Sequence, residues 1–501
     1  MLLDRFGGER GELAAWRDPS LFTGNNVLIQ VDGALTSRPN FSRPWTDFEW
    51  DAAYTGLQIY GAGLGAGTGA GIFPRFEHVW FVMGQQLWGW EGTDGVAPEF
   101  VGSLGATPSH DIVAVRQGST VWIANPDEGL YKYAISSTGF TLTRVSNVTP
   151  GPAFAVWQGV ELCSGSDAPG SPTPGVHRLY WSDSPGSWPA STNYNDIGDE
   201  GSAITGLYVL RNQLLVAKDD GSWWMVTGQL ATTDNQDASY SVRDVSRTNY
   251  PIIRQGSGFV NEQIIAFVPD VAGFPVTYNG SQFTEIRYLV DDDLRGAQVI
   301  GGAGIGDLML HNNGKGLLYQ NGSWVRITVP DDSVAVLYPR RDGTQVFAFI
   351  EPPNADELRP PRCSLLPADP LVEPAEVTLI DGQPTASSVT FTEIINDDGL
   401  VQNSDLHIYY TRIATESELS GFDIRVVPKR YANVNGGSTV PPDPAAITMS
   451  TTGTFAAGRY VAIINTGHIP AYAFEVTISN IQGCAIERIF LTPLASGVSK
   501  K

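Results

Sequence analysis

The passage Leu179-Tyr180-Trp181-Ser182-Asp183, Gly186-Ser187-Trp188, Asp196-Ile197-Gly198-Asp199, Ala203-Ile204-Thr205-Gly206-Leu207, Arg211-Asn212-Gln213-Leu214-Leu215-Val216, Trp223-Trp224-Met225-Val226-Thr227-Gly228 and Tyr240-Ser241-Val242-Arg243-Asp244 decides the fold class. Its apolar bursts are short and stop at Gly, Asn, Asp or Ser. Bursts of this kind, rich in aromatic and β-branched residues, are strands joined by hairpin turns.

The same grammar extends on both sides. A glycine-containing turn followed by an aromatic recurs at Gly221-Ser222-Trp223, Gly280-Ser281-Gln282-Phe283 and Gly322-Ser323-Trp324. A repeat of roughly 40–50 residues holding about four strands is what a β-propeller blade produces. One such sheet cannot cover its own apolar faces, whereas radial packing around an axis covers them. Seven candidate blades follow, at 77–107, 110–147, 153–198, 203–247, 257–289, 297–329 and 333–352. The last is short, so the N-terminal strands at 25–45 are expected to complete it and close the ring.

Around this core the chain divides further. Residues 1–24 read as an N-terminal arm, 25–353 as the propeller and 354–374 as a linker, in a stretch where Pro352, Pro353, Pro360, Pro361, Pro367, Pro370 and Pro374 work against regular pairing. Alternating segments such as Leu406–Tyr410, Phe422–Val427 and Phe474–Ile478 make 375–501 a β-sandwich, expected to fold on its own. The run Gly61–Gly71 reads as a flexible loop that moulds to a neighbour. The fold class is therefore all-β: an N-terminal β-propeller of roughly seven blades, then a C-terminal β-sandwich.

Bulk properties limit the functions available. The 501-residue chain has a formal net charge of −22, which argues against a protein that grips nucleic acid through clustered Lys and Arg. Cys163, Cys363 and Cys484 are far apart and lack CxxC spacing, so neither a disulfide framework nor a zinc site is expected. The opening Met-Leu-Leu-Asp-Arg-Phe-Gly-Gly carries charge too early for a signal peptide. No apolar run approaches the roughly 18 residues of a membrane span.

Catalytic constellations are weak. Ala217-Lys218-Asp219-Asp220-Gly221-Ser222-Trp223-Trp224 loosely fits the Asp box of sialidases but lacks its first serine, and hairpin chemistry alone explains it. The acidic runs Asp291–Asp293, Asp331-Asp332 and Asp397-Asp398 read as solvated loop charges, and Asp291–Asp293, which could bind calcium, lacks the ligand spacing of a known calcium loop. The six histidines form no His-Glu-x-x-His or His-x-His pair. The glycine run contains Gly-x-Gly-x-x-Gly but no helix pattern follows, so it is not a phosphate cradle. No enzyme activity, cofactor or metal is expected. The abundant aromatics are expected to fill gaps between blades.

Three segments carry a family resemblance. Asn25-Asn26-Val27-Leu28-Ile29-Gln30-Val31-Asp32-Gly33, ending at Arg38-Pro39-Asn40, resembles the opening of phage tail-hub and stabilisation proteins, with Asn40 where those have Gly. The 179–247 passage is similar to that family's central blades, and Gly273-Phe274-Pro275-Val276-Thr277-Tyr278-Asn279-Gly280 to one of its hairpins. The resemblance implies a structural virion protein of a tailed-phage tail: a hub or nozzle below the portal, forming a cyclic homo-oligomer, with a hexamer the expected stoichiometry. Other tail and adaptor proteins would be its partners. DNA would pass without specific binding, and an acidic lumen would keep it from adhering. The chain would be assembled in the host cytoplasm and reside in the virion tail, with no membrane association. Trp16 and Phe22 of the arm, with Gly65 and Gly67 of the glycine run, are the assembly candidates. Two other readings compete: a carbohydrate-binding or carbohydrate-hydrolysing propeller, and a minor tail-tip component that recognises the host surface.

Overall fold

The computed structural model describes residues 2–3, 8–9, 21–29, 34–37, 44–45, 57–66, 77–90 and 95–493, the last range with several short stretches left out, of which 368–386 and 430–444 are the longest. Five short strands come first: β1 (Leu2–Leu3), β2 (Gly8–Glu9), β3 (Leu21–Asn25), β4 (Val27–Ile29) and β5 (Leu35–Ser37).

Seven consecutive antiparallel sheets follow. The first holds β6 (Ile59–Ala66), β7 (Glu77–Met83), β8 (Gln86–Trp90) and β9 (Glu99–Ser103), and the second β10 (Val113–Gln117), β11 (Thr120–Asn125), β12 (Gly129–Ser136) and β13 (Gly139–Ser146). The third holds β14 (Phe154–Trp157), β15 (Val160–Ser164), β16 (Arg178–Trp181) and β17 (Tyr194–Asp196), and the fourth β18 (Ile204–Leu210), β19 (Gln213–Lys218), β20 (Trp223–Gly228) and β21 (Tyr240–Asp244). The fifth holds β22 (Gly258–Val260), β23 (Ile265–Phe267), β24 (Val276–Tyr278) and β25 (Phe283–Glu285), and the sixth β26 (Gln298–Gly301), β27 (Leu308–Asn312), β28 (Lys315–Gln320) and β29 (Ser323–Thr328). The seventh has three strands among the described residues: β30 (Val334–Pro339), β31 (Gln345–Glu351) and β32 (Arg362–Pro367).

The first strands of these sheets touch in succession, β6 to β10 to β14 to β18 to β22 to β26 to β30, and β30 returns to β6. Seven sheets whose inner strands close a circle form a seven-bladed β-propeller. The core fits the radial packing, because apolar clusters fill the gaps between neighbouring blades, the one between blades 6 and 7 running on into the core of a second unit. Trp80, Val121 and Tyr133 fill the gap between blades 1 and 2, and Leu162, Trp181 and Val216 that between 3 and 4. Trp223 and Phe267, with ring centres 4.5 Å apart, fill that between 4 and 5. Burying a large side chain such as Trp223 contributes about 2–3 kcal/mol. The aromatics do fill the gaps.

Ring closure differs from the expectation. The strands from 25–45 do not complete blade 7. β4 pairs with β5, and β5 pairs with a strand near the C-terminus, because Val27 and Leu35 face the core of a second unit. Closure is instead apolar: Trp90 of blade 1 meets Tyr338 of blade 7 at 5.6 Å, and Trp45 packs on Trp90 at 5.0 Å.

Two further expectations need correction. The glycine run is not a loop through Ala66, for Ile59–Ala66 is the inner strand of blade 1. Glycine is needed there because a side chain at Gly63 would start 2.4 Å from the Trp80 ring. The proline-rich linker is also interrupted by a strand, β32, which pairs with β31. Its prolines are tolerated because Pro361 precedes the strand and Pro367 ends it, on a blade edge.

The second unit has two six-stranded sheets. One runs in the order β37 (Gly458–Asn465), β34 (Ser404–Arg412), β39 (Cys484–Pro493), β5, β4, with β1 also on β39. The other runs β2, β3, β33 (Ser388–Ile395), β38 (Ala473–Gln482), β35 (Gly421–Lys429), β36 (Ile447–Ser450). Leu406, Ile408 and Ile489 of the first share one core with Phe391, Ile424 and Val476 of the second. The segment read as a free arm therefore contributes strands: Leu2 pairs with Phe490, and Thr23 with Thr390. This unit rests on β29, the outer strand of blade 6, through β2, β3 and β4.

Candidate functional site

A concavity of about 1080 Å³ opens on the propeller axis at the end where the inner strands begin. Its wall combines the inner strands β6 and β10 and the starts of β26 and β30 with the end of β27, the prolines that follow β31 and the segment that leads into β22. In a propeller this mouth is the natural place for a ligand, since inner strands from every blade converge there.

The segment leading into blade 5 dominates the geometry. Arg254 Nη1 donates to Asp111 Oδ2 at 2.8 Å, and Nη2 donates to Gly296 O at 3.1 Å. Asp111 precedes blade 2, three blades from blade 5 and the largest separation a ring of seven allows. Gln255 reaches another way. Its Oε1 accepts from Phe154 N at 2.8 Å, and its Nε2 donates to Phe154 O at 2.7 Å and to Leu207 O at 3.2 Å. Tyr208 Oη donates to Gln255 O at 2.9 Å, and Ser257 Oγ to Gly296 O at 3.1 Å. A single 3-10 turn, Gln255–Ser257, thus ties the inner strands of blades 3 and 4 and the approaches to blades 2 and 6 to blade 5. Gly258 ends this strut because a side chain there would start 2.4 Å from Tyr208 Oη.

The strut alters the chemistry of the mouth. His311 is buried and stands 3.2 Å from Ser333 Oγ, a pairing that superficially suggests a nucleophile and its base. Ser333 instead donates to Pro330 O at 2.8 Å, so its proton is turned away from the imidazole. Burial, assisted by the Arg254 charge, lowers the His311 pKa to about 4 and keeps the ring neutral at pH 7. The groups present suit rigid cross-linking better than proton transfer.

The loose Asp box is also built into the scaffold. Asp220 accepts from Ser222 N at 2.8 Å and from Ser202 Oγ at 2.6 Å, while Asp219 accepts from Ala203 N at 2.9 Å. Lys218 is buried and donates to Ile197 O and Asp199 O, both at 2.7 Å. Burial lowers its pKa, against the pull of Asp220, Asp199 and Asp219. The indole of Trp223 donates to Tyr250 O at 3.0 Å. These polar groups are thus engaged in turns and at the seam between blades.

The assembly candidates are not brought together. Trp16 and Gly67 lie outside the described residues. Phe22 stands in β3, paired with Glu9 of β2, and Gly65 in β6, paired with His78. Among the acidic runs, Asp291–Asp293 and Asp397-Asp398 also lie outside the described residues, while Asp332 borders the axial mouth. No cluster of three or more metal-ligating side chains occurs among the described residues. Sequence reading passed over Asp111, Arg254 and Gln255. The available signal was Ile253-Arg254-Gln255-Gly256-Ser257, a polar interruption before a blade, but its partners lie far away in sequence.

No protein-family model matches the chain, and no curated protein matches it. Among solved structures it is similar to the Neurospora crassa Pan2 WD40 domain, at TM-score 0.41 and 8% identity over 68% of this chain and 99% of that one. It is also similar to BamB from Moraxella catarrhalis, at TM-score 0.35 and 12% identity over 73% and 95%. Overlaps this loose add nothing to the blade count, and the propeller assignment stands on the closed circle of inner strands.

Proposed function

We propose that this chain is a structural protein of a tailed-phage tail, a hub or nozzle subunit that acts by holding other components in place. The observation that carries the reading is the strut at Arg254–Ser257. It lines the axial concavity, a place where propellers can take ligands, and there it ties blades to one another. A part that must bear load during assembly and genome exit benefits from such cross-linking. The resemblance at 25–40, 179–247 and 273–280 supports the same reading. Under it DNA would run through the centre of a ring of subunits, because the propeller's own axis is bridged. The ring and its hexameric stoichiometry are part of the proposal, as are the tail and adaptor partners.

The test is to locate a tagged copy of the chain in intact particles by electron microscopy. The expected result is a ring of density directly beneath the portal. Density only at the tail tip or on fibres, or no incorporation, would overturn the reading. So would turnover of a glycoside abolished by a single carboxylate substitution at the axial mouth.

A further inference from the structure

We propose that strand β37 is a pairing edge through which two copies of this chain join, antiparallel, about a two-fold axis at Ala462. The second unit has two opposite edges. One, formed by β2, β3 and β4, is clamped on β29 of the propeller. At the other, β37 ends its sheet with β34 as its one neighbour among the described residues. The register between β37 and β34 is unbroken from Gly458 to Asn465, so no bulge twists the edge away.

The residues of this edge are unusual for one left in water. Tyr460-Val461-Ala462-Ile463-Ile464 contains no charge and no proline. Soluble proteins blunt edges with lysine, proline, bulges or a covering element, because an open apolar edge templates association. Ala462 and Ile464 point to the core, whereas Val461 is 43% and Ile463 50% exposed. Beside them on the outer face stand Tyr409, His407 and Phe490, with Arg488 stacked 4.2 Å over the Tyr409 ring. The outer face of the other sheet is polar by contrast, with Thr390 bonded to Thr477 and Glu475 paired to Lys429. Exposed Met449 lies on β36, the edge strand of the other sheet.

The strand is complementary to itself. An antiparallel copy centred on Ala462 sets Val461 against Ile463 twice on the outer face and Tyr460 against Ile464 twice on the inner one. Arg459, the one charge on the strand, then faces Asn465, so no like charges meet. A parallel copy would set arginine against arginine. Cross-strand β-branched pairs of this kind are among the favourable ones, and main-chain hydrogen bonds extend the sheet across the axis. On a chain of net charge −22 most surfaces repel their own copies, and this nearly uncharged edge is where two copies approach most easily. Such a contact is isologous and closes at two subunits. It does not rest on the tail-hub reading, since the propeller takes no part in it.

The test uses the full chain. Light scattering should give twice the chain mass of 54.0 kDa, with a concentration-dependent return to monomer. Val461→Lys with Ile463→Lys should weaken pairing by roughly tenfold or more. At concentrations where both proteins are monomeric its thermal midpoint should stay close to that of the wild type, because both positions are exposed. Mixing that variant with Val461→Glu plus Ile463→Glu should restore a mixed dimer. Amides of 459–465 should exchange slowly in the wild type and faster in the lysine variant. A single-chain mass at every soluble concentration, or a lysine variant that still pairs, overturns the proposal. Protection of β37 only in the presence of another protein's strand would also overturn it.

Discussion

Asn26 and Thr328, 302 residues apart, hold each other by two hydrogen bonds: Asn26 Nδ2 donates to Thr328 Oγ1 at 3.2 Å, and Thr328 N donates to Asn26 Oδ1 at 2.8 Å. Asn26 N adds a third bond, to Arg326 O at 2.9 Å. Asn26 is the residue at which the chain crosses from one sheet of the second unit to the other, and it does so with φ at +57°. One asparagine therefore makes the crossover and fastens it to the outer strand of blade 6. Asparagine suits the task because it tolerates the left-handed conformation better than most residues and presents both a donor and an acceptor.

Substituting that residue should loosen the joint. Asn26→Ala leaves the Thr328 amide without its partner and puts in the left-handed region a residue that tolerates it less well than asparagine, at a combined cost of about 2–4 kcal/mol. Asn26→Gly removes the same bonds without the backbone strain and should cost about 1 kcal/mol less. Urea denaturation of both variants checks the order. Equal costs would mean that the backbone conformation contributes nothing.

The two arms of the axial strut should behave differently. Arg254 and Asp111 are partly exposed, so a double-mutant cycle on the pair should return a coupling of about 0.2–1 kcal/mol that shrinks with salt. Gln255→Ala leaves the Phe154 amide and carbonyl without their partner and should cost about 2–3 kcal/mol. Thermal or chemical denaturation reads both. A larger cost for the ion pair than for Gln255 would mean that the axis is held by charge.

The contrast between these residues shows what was legible in the sequence. Blade repeats were readable because each is local: Gly221 and Trp223 sit in one hairpin, and strands follow in chain order. Contacts that depend on closing a circle were not readable. Nothing near Gln255 announces Phe154, and nothing near Val27 announces Ile489. The glycine run misled for a related reason. Its composition fits a loop, and only the Trp80 ring against Gly63 shows why an inner strand needs it.

Acid should unfold the propeller through two buried histidines. His78 packs against the stacked Tyr133 and Phe140 rings, and burial, with the Arg116 charge, lowers its pKa to about 3. His311 is lowered to about 4. Both folded values lie below the unfolded value near 6.5, so the unfolded state takes up protons first. The contribution is full above pH 6.5 and is lost as pH falls from 6.5 through 4 to 3, with an upper slope of roughly 1.4 kcal/mol per pH unit for each group. His78→Phe should flatten the curve between pH 6.5 and 4 and should not destabilise at pH 7. An unchanged slope in that variant would remove His78 from the account.

In the Asp-box hairpin, Asp220→Ala should cost more than Asp219→Ala. Asp220 bonds both Ser202 and Ser222, whereas Asp219 caps one backbone amide. Burial acts to raise the Asp220 pKa, but those hydrogen bonds outweigh it and the value is lowered. We expect about 1–3 kcal/mol for Asp220→Ala and about 1 kcal/mol for Asp219→Ala. Denaturation midpoints test the order, and sialoside turnover assayed in parallel should be absent from both variants and from the wild type.

The last prediction reverses the expectation that 375–501 folds alone. That fragment would lack β1 to β5, and these strands occupy one flank of both sheets of the second unit. β5 covers β39 through Ala485 and Ile486, and β3 covers β33 through Val389 and Thr390. Val27 and Leu35, nearly inaccessible to solvent, add apolar surface to the shared core. Removing the strands opens the core on that side and exposes the ladders of β39 and β33. Loss of two such side chains alone costs about 3–6 kcal/mol, a large part of the stability of a unit this size. The isolated fragment should give a poorly dispersed amide spectrum. Joining residues 1–37 to it through a flexible linker should restore dispersion. A well-dispersed spectrum from 375–501 alone would show that the N-terminal strands lie on a fold that is already complete.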